Sequence, residues 1–246
     1  METLLLTGAV CLAVGLLIGW SSVAGFLLPI FFISYLHLPA TEALGISFLC
    51  FAVSGAIGAL NFHRAGQLPL KTGLQIGLGS LAGALLGAGL NQLIPAATVK
   101  SILYVVVLLS GLSILLRRQK PDRAEGGTIT ERPMLLLILG FVTGAICALS
   151  GAGGPILVMP LLVALGVSAH AAIGIALLDS VFIALPALCI YFTAALPAPW
   201  LLALCAGTHA LGVLVGSSTA HRVPGGLLKK LVGVFSVCIA IYMLFF

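Results

Sequence analysis

Apolar runs of twenty residues and more follow one another along this chain, parted by short polar breaks and one longer polar stretch. Runs of that length match the hydrocarbon thickness of a bilayer. The pattern predicts a long interrupted segment over roughly 4–36, then helices near 41–60, 71–93 and 97–116. The sequence of elements then repeats: an interrupted segment near 133–166, followed by helices near 168–193, 199–220 and 226–245. Strands of a membrane barrel would alternate apolar and polar residues in short pieces, and these runs do not. The fold class is therefore an all-α polytopic membrane protein. It divides into a first repeat over 1–116, a polar linker over 117–132 and a second repeat over 133–246.

The repeat also shows in the residues. At a shift of 129, Gly45 falls on Gly174, Gly83 on Gly212, Gly87 on Gly216, Pro95 on Pro224 and Lys100 on Lys229, and "ALGI" at Ala43–Ile46 meets "AIGI" at Ala172–Ile175. Nearer the start of each half the glycine pairs Gly15/Gly19 and Gly140/Gly144 suggest a shift of 125, and Pro29 answers Pro160 in between. Several matches in one register are the mark of an internal repeat.

Composition sharpens this. Of 246 residues 61% are hydrophobic and 7% charged, against about 25% charged in soluble domains. From Pro133 to His221 the only charged side chain is Asp179. The opening Met1-Glu2-Thr3 has no basic region, so the first run reads as a membrane helix rather than a cleaved signal. The six cysteines lie in apolar runs without a CxxC pair and read as small core residues. No metal or cofactor is expected, and the net charge of +5 resides in loops, which argues for topology and against nucleic acid.

Those loops orient the chain by the positive-inside rule. His63, Arg64 and Lys71 mark one cytoplasmic loop. The linker Arg117–Arg132, with five basic and three acidic residues, marks a second, and Arg222, Lys229 and Lys230 a third. If each interrupted segment crossed once, the third loop would lie outside, against the rule. If each enters and returns to the same side, all three loops are cytoplasmic and both termini face out. Each half then crosses an odd number of times, which makes the halves inverted repeats, a recurrent plan of secondary transporters with broken helices at the cargo site.

The interruptions carry the chemistry. Ser150-Gly151-Ala152-Gly153-Gly154-Pro155 breaks the second segment, and "WSSVAGFLLP", Trp20–Pro29, is the matching zone of the first. Non-helical backbone at membrane depth is tolerated where it is buried in protein or lines a wet cavity. A half-helix starting there offers free N–H groups and a positive dipole end, and Pro155 suits its first turn. The expected substrate-binding set is Ser21, Ser22, Gly25, Ser150, Gly151, Gly153, Gly154 and Pro155. The plainer alternative is that the glycines only let helices approach closely. That reading is preferred for Gly77, Gly79, Gly83 and Gly87, which fall near one face.

Two further residues are candidates for proton coupling. Asp179 is an intramembrane carboxylate, a functional hypothesis by default, although it could instead tie two helices together. His209, at the position matched by Ser80, could relay a proton or be an ordinary core histidine. His170 stands at a helix start as a cap, Trp20 beside the first break, and Pro186 predicts a kink in the helix that carries Asp179.

The glycine-rich break followed by apolar residues and proline, then Ala43, Gly45, Ile46 and Ser47, then His63–Gln67 ("HRAGQ"), then a glycine-striped helix ending near "LGAGL", all repeated once, resembles the sulfite exporter TauE/SafE family, also called the 4-toluene sulfonate uptake permease family. The resemblance covers nearly the whole chain. It implies a secondary transporter of small sulfur-containing anions, sulfite or organosulfonates, in a bacterial inner membrane. The expected partners are the small anion, protons and the lipid bilayer, with a homodimer left open. A passive anion channel and a carrier of a non-sulfur molecule are the competing readings. A membrane enzyme is disfavoured, because no Ser/His/Asp set, HExxH pair or carboxylate cluster is present.

Overall fold

The computed structural model describes residues 2–22, 24–95, 132–151, 153, 155–165 and 167–220, with scattered positions in 97–116 and beyond 220. Among them the elements are α1 (Glu2–Ser21), a 3₁₀ turn (Ala24–Phe26), α2 (Leu27–Ser34), α3 (Ala40–Arg64), α4 (Leu70–Leu93), α5 (Pro133–Ser150), α6 (Pro155–Ala164), α7 (Ala169–Ala194) and α8 (Pro199–Thr219). Six of these, α1, α3, α4, α5, α7 and α8, are long and apolar enough to cross a membrane. The helices expected near 97–116 and 226–245, the linker up to residue 131, and Lys100 and Lys229 lie outside the described residues.

Backbone contact at glycine fixes how the helices run. A Cβ on Gly79 would strike Leu137, one on Gly83 Phe141 and one on Gly87 Ala145, while Asn91 donates to the Leu149 carbonyl at 2.6 Å. Helices α4 and α5 therefore run parallel. On the other side Gly8 faces Thr208, Gly15 faces His209 and Gly19 faces Gly216, so α1 runs parallel to α8. Helices α3 and α7 are antiparallel: Gly45 lies against Tyr191 and Phe192, Gly55 against Val181, and Gly174 against Phe62. Without Cβ atoms at these points the helix backbones close to direct contact, the usual way membrane helices gain packing when lipid gives no hydrophobic drive.

These contacts exchange partners between the halves as they would about a twofold axis. His209 Nδ1 meets the Cys11 carbonyl at 3.1 Å, and at a shift of 129 Ser80 Oγ donates to the Gly140 carbonyl at 2.9 Å. Gly212 against Leu12 and Leu16 corresponds to Gly83 against Phe141 and Ala145 in the same register. A single shift of 129 therefore holds through α1 and α5 as well, and Gly15 corresponds to Gly144, not Gly140. The sequence pairing at 125 was one helical turn out of place, because glycines four apart align with themselves after a slip of four.

The interrupted segments differ from expectation in proportion. The break does not fall at the middle: α1 has 20 residues and α2 only 8, α5 has 18 and α6 10. Each is a full-length helix followed by a short return. The direction agrees with a segment that comes back. The last turns of α1, α3 and α8 gather at one end, where Trp20 Nε1 donates to Thr219 at 2.8 Å and Asn61 Nδ2 to Ser217 at 2.6 Å. Since α1 and α3 point the same way, the chain between them must travel back. This end carries His63 and Arg64 and the start of α4 with Lys71. It also receives Arg132 at the start of α5, because α5 runs parallel to α4.

Candidate functional site

Both breaks are built alike. Helix α1 stops at Ser21, and Ser22 adopts the left-handed region at φ +58° with its N–H on the Ile18 carbonyl at 2.8 Å. Helix α5 stops at Ser150, and Gly151, at φ +73°, closes onto the Cys147 carbonyl at 2.9 Å. At the shift of 129 Ser21 corresponds to Ser150 and Ser22 to Gly151. A left-handed residue ends a helix in both places, costing nothing at glycine and ~1–3 kcal/mol at a serine. Gly153 follows at φ +81°, and α6 begins at Pro155. Gly154 lies outside the described residues.

The breaks are interior. Ser21, Ser22, Ala24, Gly25, Phe26, Ser150, Gly151 and Gly153 are all buried. The 3₁₀ turn of the first break packs against α6 of the second. Between them stands Phe51 of α3. A Cβ on Gly25 would lie 2.8 Å from Phe51 Cε1, and one on Gly153 3.3 Å from Cε2 and Cζ. The ring tip is thus wedged between the two breaks. Phe51 meets Phe48 edge to face at 5.6 Å, and Phe48 stacks on Tyr191 at 5.5 Å. Tyr191 donates its hydroxyl to the Ala148 carbonyl at 2.9 Å, in the last turn of α5.

Polar atoms at this centre are few. Ser21 Oγ is spent on the Leu17 carbonyl at 2.9 Å. Ser22, 1% exposed, has a hydroxyl with no hydrogen-bond partner. A buried polar group left unmatched costs about 1–3 kcal/mol, so this one calls for an explanation. The first turn of α6 adds the N–H groups that no helix satisfies internally. The arrangement offers neutral donors and, from Thr3 to Thr41 and from Pro133 to His221, only one charged side chain, Asp179.

Asp179 is fully buried in α7, and neither carboxyl oxygen has a hydrogen-bond partner by geometry. Its polar neighbours are Ser80 of α4, whose hydroxyl is committed to Gly140, and Cys147 of α5. The Cys147 carbonyl also accepts the Gly151 N–H that ends α5. His209 is also fully buried. The Cys11 carbonyl can only accept, so the proton sits on Nδ1 in the neutral ring, and Nε2 is left without a partner. His209 does not join the breaks: it contacts α1 at Cys11, about 16 Å of helix rise before Ser22.

The fold thus brings Gly25 and Gly153 onto Phe51; Ser21 and Ser22 adjoin the first of them in the chain, Ser150, Gly151 and Pro155 adjoin the second, and Gly151 faces Leu44. Gly79, Gly83 and Gly87 serve packing, as expected, whereas Gly77 turns to Phe182 of α7. The cap of α7 is Ser168, whose hydroxyl accepts from the Ala171 N–H at 3.4 Å, and not His170, which is exposed. Phe51 was not singled out by sequence, where it reads as one more apolar residue of α3. No group of three or more His, Cys, Asp or Glu side chains among the described residues could hold a metal.

No curated protein and no solved structure matches the chain. Against known families, residues 3–243 match Sulfite exporter TauE/SafE, a family of membrane transporters and not of enzymes. With that match spanning nearly all of its length, the chain belongs to the TauE/SafE sulfite exporter family.

Proposed function

We propose that this chain is a secondary transporter of a small sulfur-containing anion, sulfite or a close relative, and that the anion is held where the two breaks meet. The observation that carries this is the convergence of the breaks on Phe51, with the unpartnered Ser22 hydroxyl in the first break and the N-terminus of α6 in the second. Neutral backbone donors suit a cargo that must also leave, because they hold an anion without the deep trap of a buried lysine or arginine. Helix N-termini turned on an anion are the recurrent device of broken-helix carriers. The two halves work as inverted repeats, a reading supported by the antiparallel packing of the equivalent helices α3 and α7. Rocking of one half against the other then exposes the site alternately to the two sides of a bacterial inner membrane.

Asp179 carries the coupling proton. An ionised carboxylate buried in the same membrane interior would repel the cargo, so anion and proton travel together. The test is uptake of labelled sulfite by proteoliposomes holding the purified protein, with and without an inward proton gradient. Saturable uptake that the gradient accelerates is expected in the native protein, and Asp179→Asn should keep binding but lose the acceleration. No saturable uptake of sulfite, organosulfonate or thiosulfate, with insertion verified, overturns the reading.

A further inference from the structure

The two breaks are equivalent in register, but what fills the space between them is not. Phe51 comes from α3, and the position that corresponds to it in α7 is Ser180, whose hydroxyl is turned back to the Ala176 carbonyl at 3.0 Å. The partners of Phe51 in its ladder, Phe48 and Tyr191, correspond to Leu177 and Phe62, so the ladder has no counterpart across the centre. One side of the meeting point is packed with three linked rings, and the other is not.

The ring is held from both ends. Its tip contacts Gly25 and Gly153, while its base is fixed by Phe48 and, through Phe48, by Tyr191 on the last turn of α5. It is 2% exposed. The ring presents Cε1 toward Gly25 and Cε2, Cζ and Cδ2 toward Gly153. It fills the space between Gly25 and Gly153.

We infer that Phe51 is the size-determining residue of the cargo site and restricts it to compact oxyanions, excluding sulfonates with an aryl or long alkyl group. This rests on the site proposed above and adds the class of cargo to it. A rigid apolar wall discriminates by excluded volume, and a mismatch of even one methylene in such a pocket is worth about 10–200-fold.

The experiment measures labelled sulfite uptake in proteoliposomes against competing methanesulfonate, ethanesulfonate and benzenesulfonate. In the native protein, competition should fall steeply with substituent size. Phe51→Ala should lower the inhibition constant of benzenesulfonate by about tenfold or more, with that of methanesulfonate changed far less. Phe51→Leu, which keeps a buried apolar side chain but removes the ring edge, is the second variant should alanine fail to fold. Phe48→Ala loosens the ladder without removing the tip and should leave the size order intact. Native protein that accepts benzenesulfonate as readily as methanesulfonate overturns the inference, as does an unchanged size order in a folded Phe51 variant. Both results bear on size selection alone, and saturable sulfite uptake by the native protein keeps the proposed carrier standing. Absence of any anion flux in native protein would instead remove the carrier and the Phe51 inference with it.

Discussion

Gly83→Ala is the sharpest test of the backbone contacts that hold the halves together. A Cβ on Gly83 would lie 2.8 Å from the Phe141 carbonyl carbon and 2.9 Å from the Ala145 nitrogen, and nearer still to the Phe141 oxygen. Carbon contacts settle at about 3.5 Å or more, so α4 and α5 must part by ~0.6 Å or above. Overpacking of that order costs ~1–3 kcal/mol. The Ser80–Gly140 bond one turn away, at 2.9 Å, would stretch toward its limit and lose ~0.5–1.5 kcal/mol. Alanine returns ~0.5–1 kcal/mol of helix propensity. The net is a destabilisation of about 0.5–4 kcal/mol. Gly89 supplies the control, since it is on the same helix with nothing within 4 Å of a built Cβ. Gly89→Ala should be neutral or stabilise by up to ~1 kcal/mol. Reversible unfolding in mixed micelles, followed by circular dichroism, reads both. The reasoning fails if Gly83→Ala is as stable as the native protein, or if Gly89→Ala costs as much as Gly83→Ala.

Ser22→Ala removes a buried hydroxyl that bonds nothing in the fold, so stability should rise by about 1–3 kcal/mol while sulfite affinity falls about tenfold, the loss of one hydrogen bond of about 1.4 kcal/mol; unaltered flux kinetics would count against its place at the cargo. Tyr191→Phe deletes the bond to the Ala148 carbonyl and should lower stability by ~0.5–1.5 kcal/mol in the same micelle assay, a neutral result contradicting the anchoring of α5 by the ladder. Gly151→Leu meets both the left-handed backbone and the Leu44 side chain, and should abolish uptake with membrane insertion retained, as judged by flux and by accessibility of engineered cysteines. Single cysteines placed at Gln67 and Ala195 should label from opposite sides of sealed vesicles, since they sit at opposite ends of α3 and α7 respectively.

Much of this fold is legible in the pattern of apolar runs, because lipid demands length and uninterrupted hydrogen bonding from any helix that crosses it. The break at Ser150–Pro155 is legible for the same reason: glycine and proline together leave backbone groups unmatched. The register of the repeat was harder. Gly15, Gly19, Gly140 and Gly144 are spaced by one helical turn, so sequence alone cannot tell a true match from a slip of four. Only the facing residues, Ser80 on Gly140 and His209 on Cys11, decide it. Off-centre breaks escaped notice because both sides of each are equally apolar. Phe51 escaped because its importance lies in two glycines that approach it from 26 residues before and 102 after in the chain, and no local pattern encodes that. The cap at Ser168 follows ordinary N-cap chemistry, and a histidine two residues on drew attention away from it.

The exchange of partners between the halves also governs how the chain can be made. Helix α1 leaves the ribosome well before α8, yet the surface that its glycines fit belongs to α8, and Cys11 and His209 are 198 residues apart. At about 5–20 residues per second of synthesis, that is a delay of ~10–40 s. Through it α1 must wait in the translocon or in lipid with a bare strip of backbone at Gly15 and Gly19. Helix α4 waits less, because α5 follows across the linker. The nascent protein therefore passes through an intermediate in which α4 and α5 are already matched and α1 is not. A ribosome that stalls before α8 would leave such a chain inserted but unclosed, a ready target for membrane quality control.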